Sequence, residues 1–388
     1  MSLPPFPPLL GDRQRDASQS ALRPPLPTPR DAATPSAAPA PRPPRLWVLD
    51  GLRIVAAVMV VCHHYMRDAF WGGDASQPFG WLGTASRYGW LGVELFFMIS
   101  GFVICMSAWG RSLGSYLRSR VIRLGPAYWF CALLTGAVLT VQAKAFDTTA
   151  PTLSQILTNL TMVQTPLRVD PLDPSYWTLW AEARFYLIFA IVAWSGLTYR
   201  KVLNFCWIWT VAALLGPTSG LPLLDIVADS VYAPLFISGI CFYLIRRYGP
   251  RAGEPWVLLA FSWLLMQRYL VDIVGWNTVA GDKLSWSVCL AVVTGCYAIM
   301  AAVALGWLDR ITWRWLSTAG AISYPLYLLH QQIGVTLLPR LTDDLGPWQL
   351  VSLLVGGMVL TSWLIHRFVE RPASRALKRF LENRPTRP

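Results

Sequence analysis

The chain has 388 residues, of which 54% are hydrophobic and only 14% are charged, and it contains 20 tryptophans. Soluble domains carry about a quarter of their residues as charged side chains, so the composition excludes an ordinary soluble domain and indicates an integral membrane protein. The seven cysteines form no CxxC pair and no set spaced with histidine like metal ligands. We therefore predict neither a metal site nor a disulfide framework.

The chain divides into three predicted regions. Residues 1–46 are rich in proline, alanine and arginine with few aromatic side chains, which predicts a disordered cytoplasmic tail. Residues 47–372 contain apolar runs of helical length, and residues 373–388 form a basic cytoplasmic tail. We predict an all-α fold, a polytopic membrane bundle of about ten transmembrane helices with both termini cytoplasmic. The predicted spans cover residues 47–66, 89–109, 126–143, 177–195, 201–216, 231–245, 255–274, 285–306, 318–338 and 347–369.

The positions of the charges favour this orientation. If the N-terminus is inside, every inner loop is basic, whereas the outer loops hold many of the aspartates. This bias is the positive-inside rule of membrane proteins. The formal net charge of +12 therefore reflects membrane orientation and not nucleic-acid binding.

The first span, WVLDGLRIVAAVMVVCHHYM, carries ionisable residues towards both ends. Arg53 and His64 lie about 20° apart around a helix axis and about 16 Å apart along it. Ionisable groups inside a span are costly and by default mark a functional site. The alternative is an arginine that snorkels and a histidine at the interface. His63 is turned about 100° away, and we interpret the HxxxxD string that it forms with Asp68 as coincidence.

Three other spans carry ionisable residues to the outer level at which His64 lies. They are Glu94 in the second span, Glu182 in the fourth and His330 in the ninth. We interpret Glu94 as structural, satisfied by backbone or by a neighbouring cation. Glu182 is either functional or paired with Arg184, and His330 is either a second catalytic residue or a hydrogen-bonded core histidine. His366, at the inner end of the last span, is predicted to face lipid head groups.

Arginines cluster on the inner side. Arg118, Arg120 and Arg123 precede the third span, with Arg53 at a similar depth. Guanidinium groups bind phosphate oxygens through paired hydrogen bonds, so the cluster suits a polyphosphorylated ligand; the alternative is that it sets topology or contacts lipid head groups. Acyl-coenzyme A has the matching shape, a phosphorylated head and a long arm ending in a thioester. An imidazole at the outer end suits the role of general base for a sugar hydroxyl that attacks that thioester.

Six motifs resemble those of one known family. They are LDGLRIVAAVMVVCHH, GVELFFMISGFVI, RVIRLGPAYW, YWTLWAEARFYL, ISYPLYLLHQQ and ERP, and they run in this order between about residues 47 and 375. Together they resemble the membrane acyltransferase-3 family, multi-pass proteins that O-acylate glycans and some small molecules. The sequence departs from the family pattern at Trp180, Arg184 and Gln332; these departures bear on the choice of acceptor and, through Arg184, on the pairing of Glu182.

The resemblance implies an acyl-CoA co-substrate and no permanently bound cofactor. It implies catalysis at His64 supported by Arg53, and donor binding or passage at Arg120 and Arg123. We extend the catalytic set to Glu182 and His330 and the donor-binding set to Arg118.

The expected protein is an O-acyltransferase of a bacterial inner membrane, moving an acyl group, in the first place acetyl, from acyl-CoA to a hydroxyl of a cell-envelope or exported glycan. Lipopolysaccharide, exopolysaccharide, peptidoglycan-linked glycans and a macrolide-like small molecule all remain open as acceptors. A transporter of an anionic or acylated solute is the alternative class, and a glycan-binding protein without activity is a third. The oligomeric state stays open.

Overall fold

The computed structural model describes residues 45–67, 71, 78–146, 148–277, 284–342 and 344–382. Residues 1–44, which make up most of the predicted disordered tail, lie outside the described residues, as do residues 383–388 of the predicted basic tail. Within the described ranges every regular element is a helix, as the composition predicts. The predicted all-α class is therefore confirmed for this part of the chain.

Each of the ten predicted spans overlaps one long helix, with bounds that differ most for the third. In chain order the α-helices are α1 (Trp47–Met66), α2 (Trp81–Ser86), α3 (Gly92–Ala108), α4 (Leu113–Phe146), α5 (Leu153–Asn159), α6 (Trp177–Trp194), α7 (Tyr199–Leu215), α8 (Pro222–Ala228), α9 (Ala233–Tyr248), α10 (Gly253–Asn277), α11 (Trp286–Ala304), α12 (Trp315–Leu341), α13 (Pro347–Ile365) and α14 (Arg371–Glu382). A π-helical turn, His366–Glu370, joins α13 to α14.

Seven helical segments of the described chain are long and apolar enough to cross a membrane. The chain is thus a multi-pass membrane protein. The three predicted spans outside this set are α6, α7 and α12; α7 has only 17 residues, and the other two carry charged or hydrogen-bonding side chains. The count of ten spans and the orientation stay predictions.

The third predicted span begins too late. The sequence places its start at Pro126, but α4 runs without a break from Leu113 through that proline. A proline inside a helix lacks the N–H that would bond the carbonyl four residues earlier, here Ile122. That carbonyl instead accepts a hydrogen bond of 3.0 Å from the Ser374 hydroxyl of α14. The predicted basic loop is therefore the first three turns of a helix, and the arginines project from a rigid element.

Glycines allow the central helices to approach closely. A Cβ built on Gly239 of α9 would lie 2.0 Å from the Met98 carbonyl oxygen of α3, and one on Gly101 would lie 2.2 Å from the Phe236 carbonyl oxygen of α9. A Cβ on Gly334 of α12 would lie 2.0 Å from the Tyr65 hydroxyl of α1. Small residues at helix crossings are a recurrent device of membrane bundles. The crossing of α1 and α12 at Gly334 brings the histidines of these two helices together.

The C-terminal end of the last predicted span differs from the prediction for His366. This side chain is buried, and its Nδ1 lies 2.8 Å from Glu370 Oε2, one turn further on. The prediction that His366 faces head groups is wrong, because the carboxylate at i+4 holds the ring inside the bundle. Residues 373–382 of the predicted tail belong to α14.

Candidate active site

His64 and His330 are in contact. Nε2 of His330 lies 3.1 Å from Nδ1 of His64, and their ring centroids are 5.0 Å apart. The Tyr65 hydroxyl donates a 2.6 Å hydrogen bond to the His330 carbonyl oxygen, which fastens α1 to α12 beside the pair. His330 is fully buried, whereas His64 is half-buried. The two predicted histidines therefore form one unit.

Backbone carbonyls assign the tautomer of each ring. His330 Nδ1 lies 2.8 Å from the Tyr327 carbonyl oxygen, and His64 Nδ1 lies 2.9 Å from that of Val60. A carbonyl only accepts, so each Nδ1 carries its proton. The unprotonated Nε2 of His330 then accepts from the same His64 Nδ1–H, which is shared between this nitrogen and the Val60 carbonyl oxygen in a three-centre hydrogen bond. Within the described residues this leaves the lone pair of His64 Nε2 available to take a proton.

His63 lies on a separate contact. Its ring is buried, and its Nδ1 lies 3.1 Å from the carbonyl oxygen of Ser86 in α2. Asp68, the other end of the HxxxxD string, lies outside the described residues. The interpretation of that string as coincidence stays a prediction, but His64 is the member of the pair that meets His330.

A loop before α6 holds the segment of α12 that carries His330. The carboxylate of Asp173 accepts the Gln332 N–H at 2.8 Å and the N–H and hydroxyl of Ser175 at 2.8 and 2.6 Å. Tyr176 donates its hydroxyl to the Leu328 carbonyl oxygen at 3.2 Å. Burial raises the pKa of Asp173 to about 6, against the opposing effect of these hydrogen bonds. Asp173 is not among the predicted site residues; its one signal in the sequence is the Asp-Pro pair that caps a helical turn.

A cavity of about 360 Å³ opens between α1, α3, α4, α6 and α12. This volume suits a small ligand or part of a larger one. Its ionisable lining residues, apart from tyrosines, are Arg53, Arg120, Arg123 and Glu182. Tyr327 also lines it, and the ring of this tyrosine lies 5.6 Å from that of His330. The cavity therefore extends from the arginine cluster towards the histidine pair.

Glu182 belongs to the arginine end of the cavity. Its Oε1 accepts hydrogen bonds from the hydroxyls of Ser100 and Tyr186. The proposed pairing with Arg184 is wrong: that guanidinium bonds Asp229 Oδ1 at 2.7 Å. Residues two apart on a helix point about 200° apart, so they cannot meet.

Glu94 and Glu182 do not join the histidines. Glu94 is buried and does not line the cavity, and its Oε2 has no hydrogen-bond partner among the described residues. The expected backbone or cation partner for that oxygen is thus missing from this part of the chain. Of the four ionisable groups assigned to one level, only His64 and His330 touch.

The predicted arginines separate into two groups. Arg53 lies 3.6 Å from Asp50 and Arg120 donates to the Ser107 hydroxyl at 3.1 Å, both along the cavity. Arg123 lines the cavity and also a neighbouring groove between the start of α4 and α14. Arg118 lines this groove but not the cavity, and it donates a hydrogen bond to the Leu381 carbonyl oxygen at 3.3 Å.

An all-helical bundle with ionisable side chains gathered inside it defines a multi-pass membrane protein with an internal polar site. The family model of an acyltransferase domain, Acyl_transf_3, matches residues 46–367 of the chain. The chain therefore belongs to the acyltransferase-3 family of membrane acyltransferases. The resemblance read from the six motifs is confirmed.

Two known proteins are similar in sequence to this chain. The chain is 25% identical over 380 residues to Acyltransferase MdmB of Streptomyces mycarofaciens, covering 87% of this chain and 94% of that protein. It is 37% identical over 102 residues to Protein 2 in picA locus of Rhizobium radiobacter, covering 24% of this chain and 46% of that protein. No solved structure matches the chain.

Proposed function

We propose that this acyltransferase moves an acyl group, in the simplest case acetyl, from acyl-CoA to a hydroxyl of a cell-envelope or exported glycan. The observation that carries the proposal is the hydrogen bond between His64 and His330, close to a cavity that holds three arginines. The histidine pair is suited to proton transfer, and the arginines are suited to binding an anionic donor.

His64 acts as the general base. Its free Nε2 takes the proton of the acceptor hydroxyl while the hydroxyl oxygen attacks the thioester carbonyl carbon. The C–S bond then breaks, and the departing thiolate receives that proton from the imidazolium. His330 accepts from His64 Nδ1 and so keeps the ring in the reactive tautomer and orientation. His330 is in this scheme a positioning residue.

The arginines hold the donor. Arg120 and Arg123 bind phosphate oxygens, and Arg53 supports passage of the acyl arm along the cavity. Glu182, held by Ser100 and Tyr186, offsets part of this positive charge and fixes the arginine end.

The proposed setting is the inner membrane of a bacterium, with ten spans and both termini in the cytoplasm. The basic inner loops support this orientation. Contacts between the start of α4 and α14 also support it, since they bring together two basic segments assigned to the same side. The donor would then enter from the cytoplasm.

Substitution of His64 tests the proposal. We expect His64→Ala to abolish transfer from radiolabelled acetyl-CoA into base-labile esters of the envelope glycans in inverted membrane vesicles, because the proton acceptor is lost. His63→Ala is the matched control and retains activity within a few-fold, since its Nδ1 faces the Ser86 carbonyl and its ring, although packed edge-on against that of His64 at 5.1 Å, forms no hydrogen bond with the His64–His330 pair among the contacts described. Both variants are compared at equal amounts of membrane-inserted protein.

Full activity of His64→Ala would overturn the mechanism. If purified protein with its acceptor fraction consumes no acetyl-CoA, the donor is wrong, and a transport function regains its place. The family membership favours the enzyme over that alternative.

A further inference from the structure

A basic groove lies beside the arginine end of the cavity. It has a volume of about 870 Å³ and runs between the start of α4 and the C-terminal helix α14. Its lining holds seven basic side chains, excluding histidine, against two carboxylates: Arg111, Arg118, Arg123, Arg367, Arg371, Arg375 and Lys378 against Glu370 and Glu382. The groove thus carries a clear excess of positive charge.

The helical repeat of α14 produces this charge. Arg371, Ser374, Arg375 and Lys378 follow the spacing i, i+3, i+4 and i+7, which places them on one face of the helix. All four line the groove, whereas Arg379 of the same helix does not. The basic face is therefore directed at α4 and is not just a consequence of a basic tail.

The two walls of the groove are joined. The Ser374 hydroxyl bonds the Ile122 carbonyl oxygen at 3.0 Å, the acceptor left free by Pro126. From the other side, Arg118 Nη1 donates to the Leu381 carbonyl oxygen at 3.3 Å. Both bonds connect α4 to α14, so the groove exists before any ligand binds.

The carboxylates in the lining are already engaged. Glu370 bonds His366 at 2.8 Å with one oxygen and lies 3.7 Å from Arg123 with the other. Glu382 lies 3.8 Å from Lys378. Glu382 therefore offsets the charge of Lys378 only, neither acid forms an ion pair with Arg371 or Arg375 among the described residues, and Glu370 holds Arg123 at the junction of groove and cavity.

We propose that α14 is the second wall of the donor site and that the groove binds the phosphorylated nucleotide end of acyl-CoA. This inference rests on the proposed function, in which acyl-CoA is the donor. The groove shares Ser119 and Arg123 with the cavity, so phosphates held there leave the acyl arm beside the cavity. Paired guanidinium hydrogen bonds to phosphate oxygens supply the recognition.

The test measures ligand binding to the full chain in zwitterionic nanodiscs, with CoA and adenosine 3′,5′-bisphosphate as probes. Wild-type protein binds both. The double variant Arg371→Gln/Arg375→Gln is expected to weaken both by about tenfold, the equivalent of one charge-assisted hydrogen bond to phosphate. Arg379→Gln, which removes one charge from the same helix off the groove, is expected to bind both like the wild type. Size-exclusion profiles confirm that the variants stay folded.

The outcomes separate this inference from the proposed function. Undiminished binding of CoA and the bisphosphate by the double variant overturns the role of α14 but leaves the donor in place. A wild-type protein that binds no CoA overturns both. If the double variant binds both probes like the wild type in zwitterionic nanodiscs and differs from it only in nanodiscs that contain phosphatidylglycerol, the groove recognises lipid head groups, and the inference is again overturned.

Discussion

At the scale of single residues, the geometry of the histidine pair carries the account. The carbonyl oxygens of Val60 and Tyr327 require a proton on Nδ1 of each ring. One nitrogen, Nε2 of His64, therefore remains as a base. The sequence identified both histidines but could not show that they touch, because a sequence does not state which helices pack side by side.

Asp173 links the same site to pH. Burial raises the pKa of this carboxyl from 3.8 to about 6, so it is ionised above that pH and takes up a proton below it. The protonated form loses acceptor capacity for Ser175 and Gln332, and the α12 segment that carries His330 loosens. We expect the rate of acetyl transfer by the wild type to fall as the pH drops through about 6.

Asp173→Asn provides the check on this assignment. The amide does not titrate and offers one acceptor fewer, so we expect a rate about tenfold lower above neutrality, the equivalent of one hydrogen bond to a charged group, and no step near pH 6. A step that persists unchanged in the pH–rate profile of the variant would contradict the assignment and would attribute the titration to a histidine.

At the scale of elements, the site depends on how closely α1 and α12 approach. Gly334 lies against the ring of Tyr65, the residue next to His64. That the described chain forms long apolar helices could be predicted from hydropathy alone. The contact between these two could not, since it depends on a glycine and a tyrosine whose partners are distant in the chain.

Gly334→Ala is expected to separate the helices. Its Cβ would lie 2.0 Å from the Tyr65 hydroxyl and 2.3 Å from the ring, and such overpacking costs about 1–3 kcal/mol. The melting temperature in detergent should fall, and transfer should drop with it because the histidine contact is disturbed. The matched control is Gly356→Ala on α13, where a Cβ meets nothing within 4 Å. An unchanged melting temperature and rate for Gly334→Ala would contradict this packing.

At the scale of the whole molecule, the site has an arginine cluster at one end of the cavity and the histidine pair beyond the other. The sequence predicted them from arginines and histidines at opposite ends of one helix. The predicted placement of Glu182 beside the histidines was wrong, because the depth of a residue does not determine which neighbours it contacts. The segment that forms α14 was predicted to be a tail, because charge alone does not reveal the helix face that Arg371 and Arg375 share.

The proposed mechanism requires that donor binding and acyl transfer be separable along the cavity. The measurement is the affinity for CoA and the rate of acetyl transfer on the same preparations of Arg123→Gln and His64→Ala. We predict that Arg123→Gln weakens CoA binding about tenfold, whereas His64→Ala binds CoA like the wild type and transfers no acetyl. Loss of CoA binding in His64→Ala, or undiminished binding in Arg123→Gln, would contradict the account.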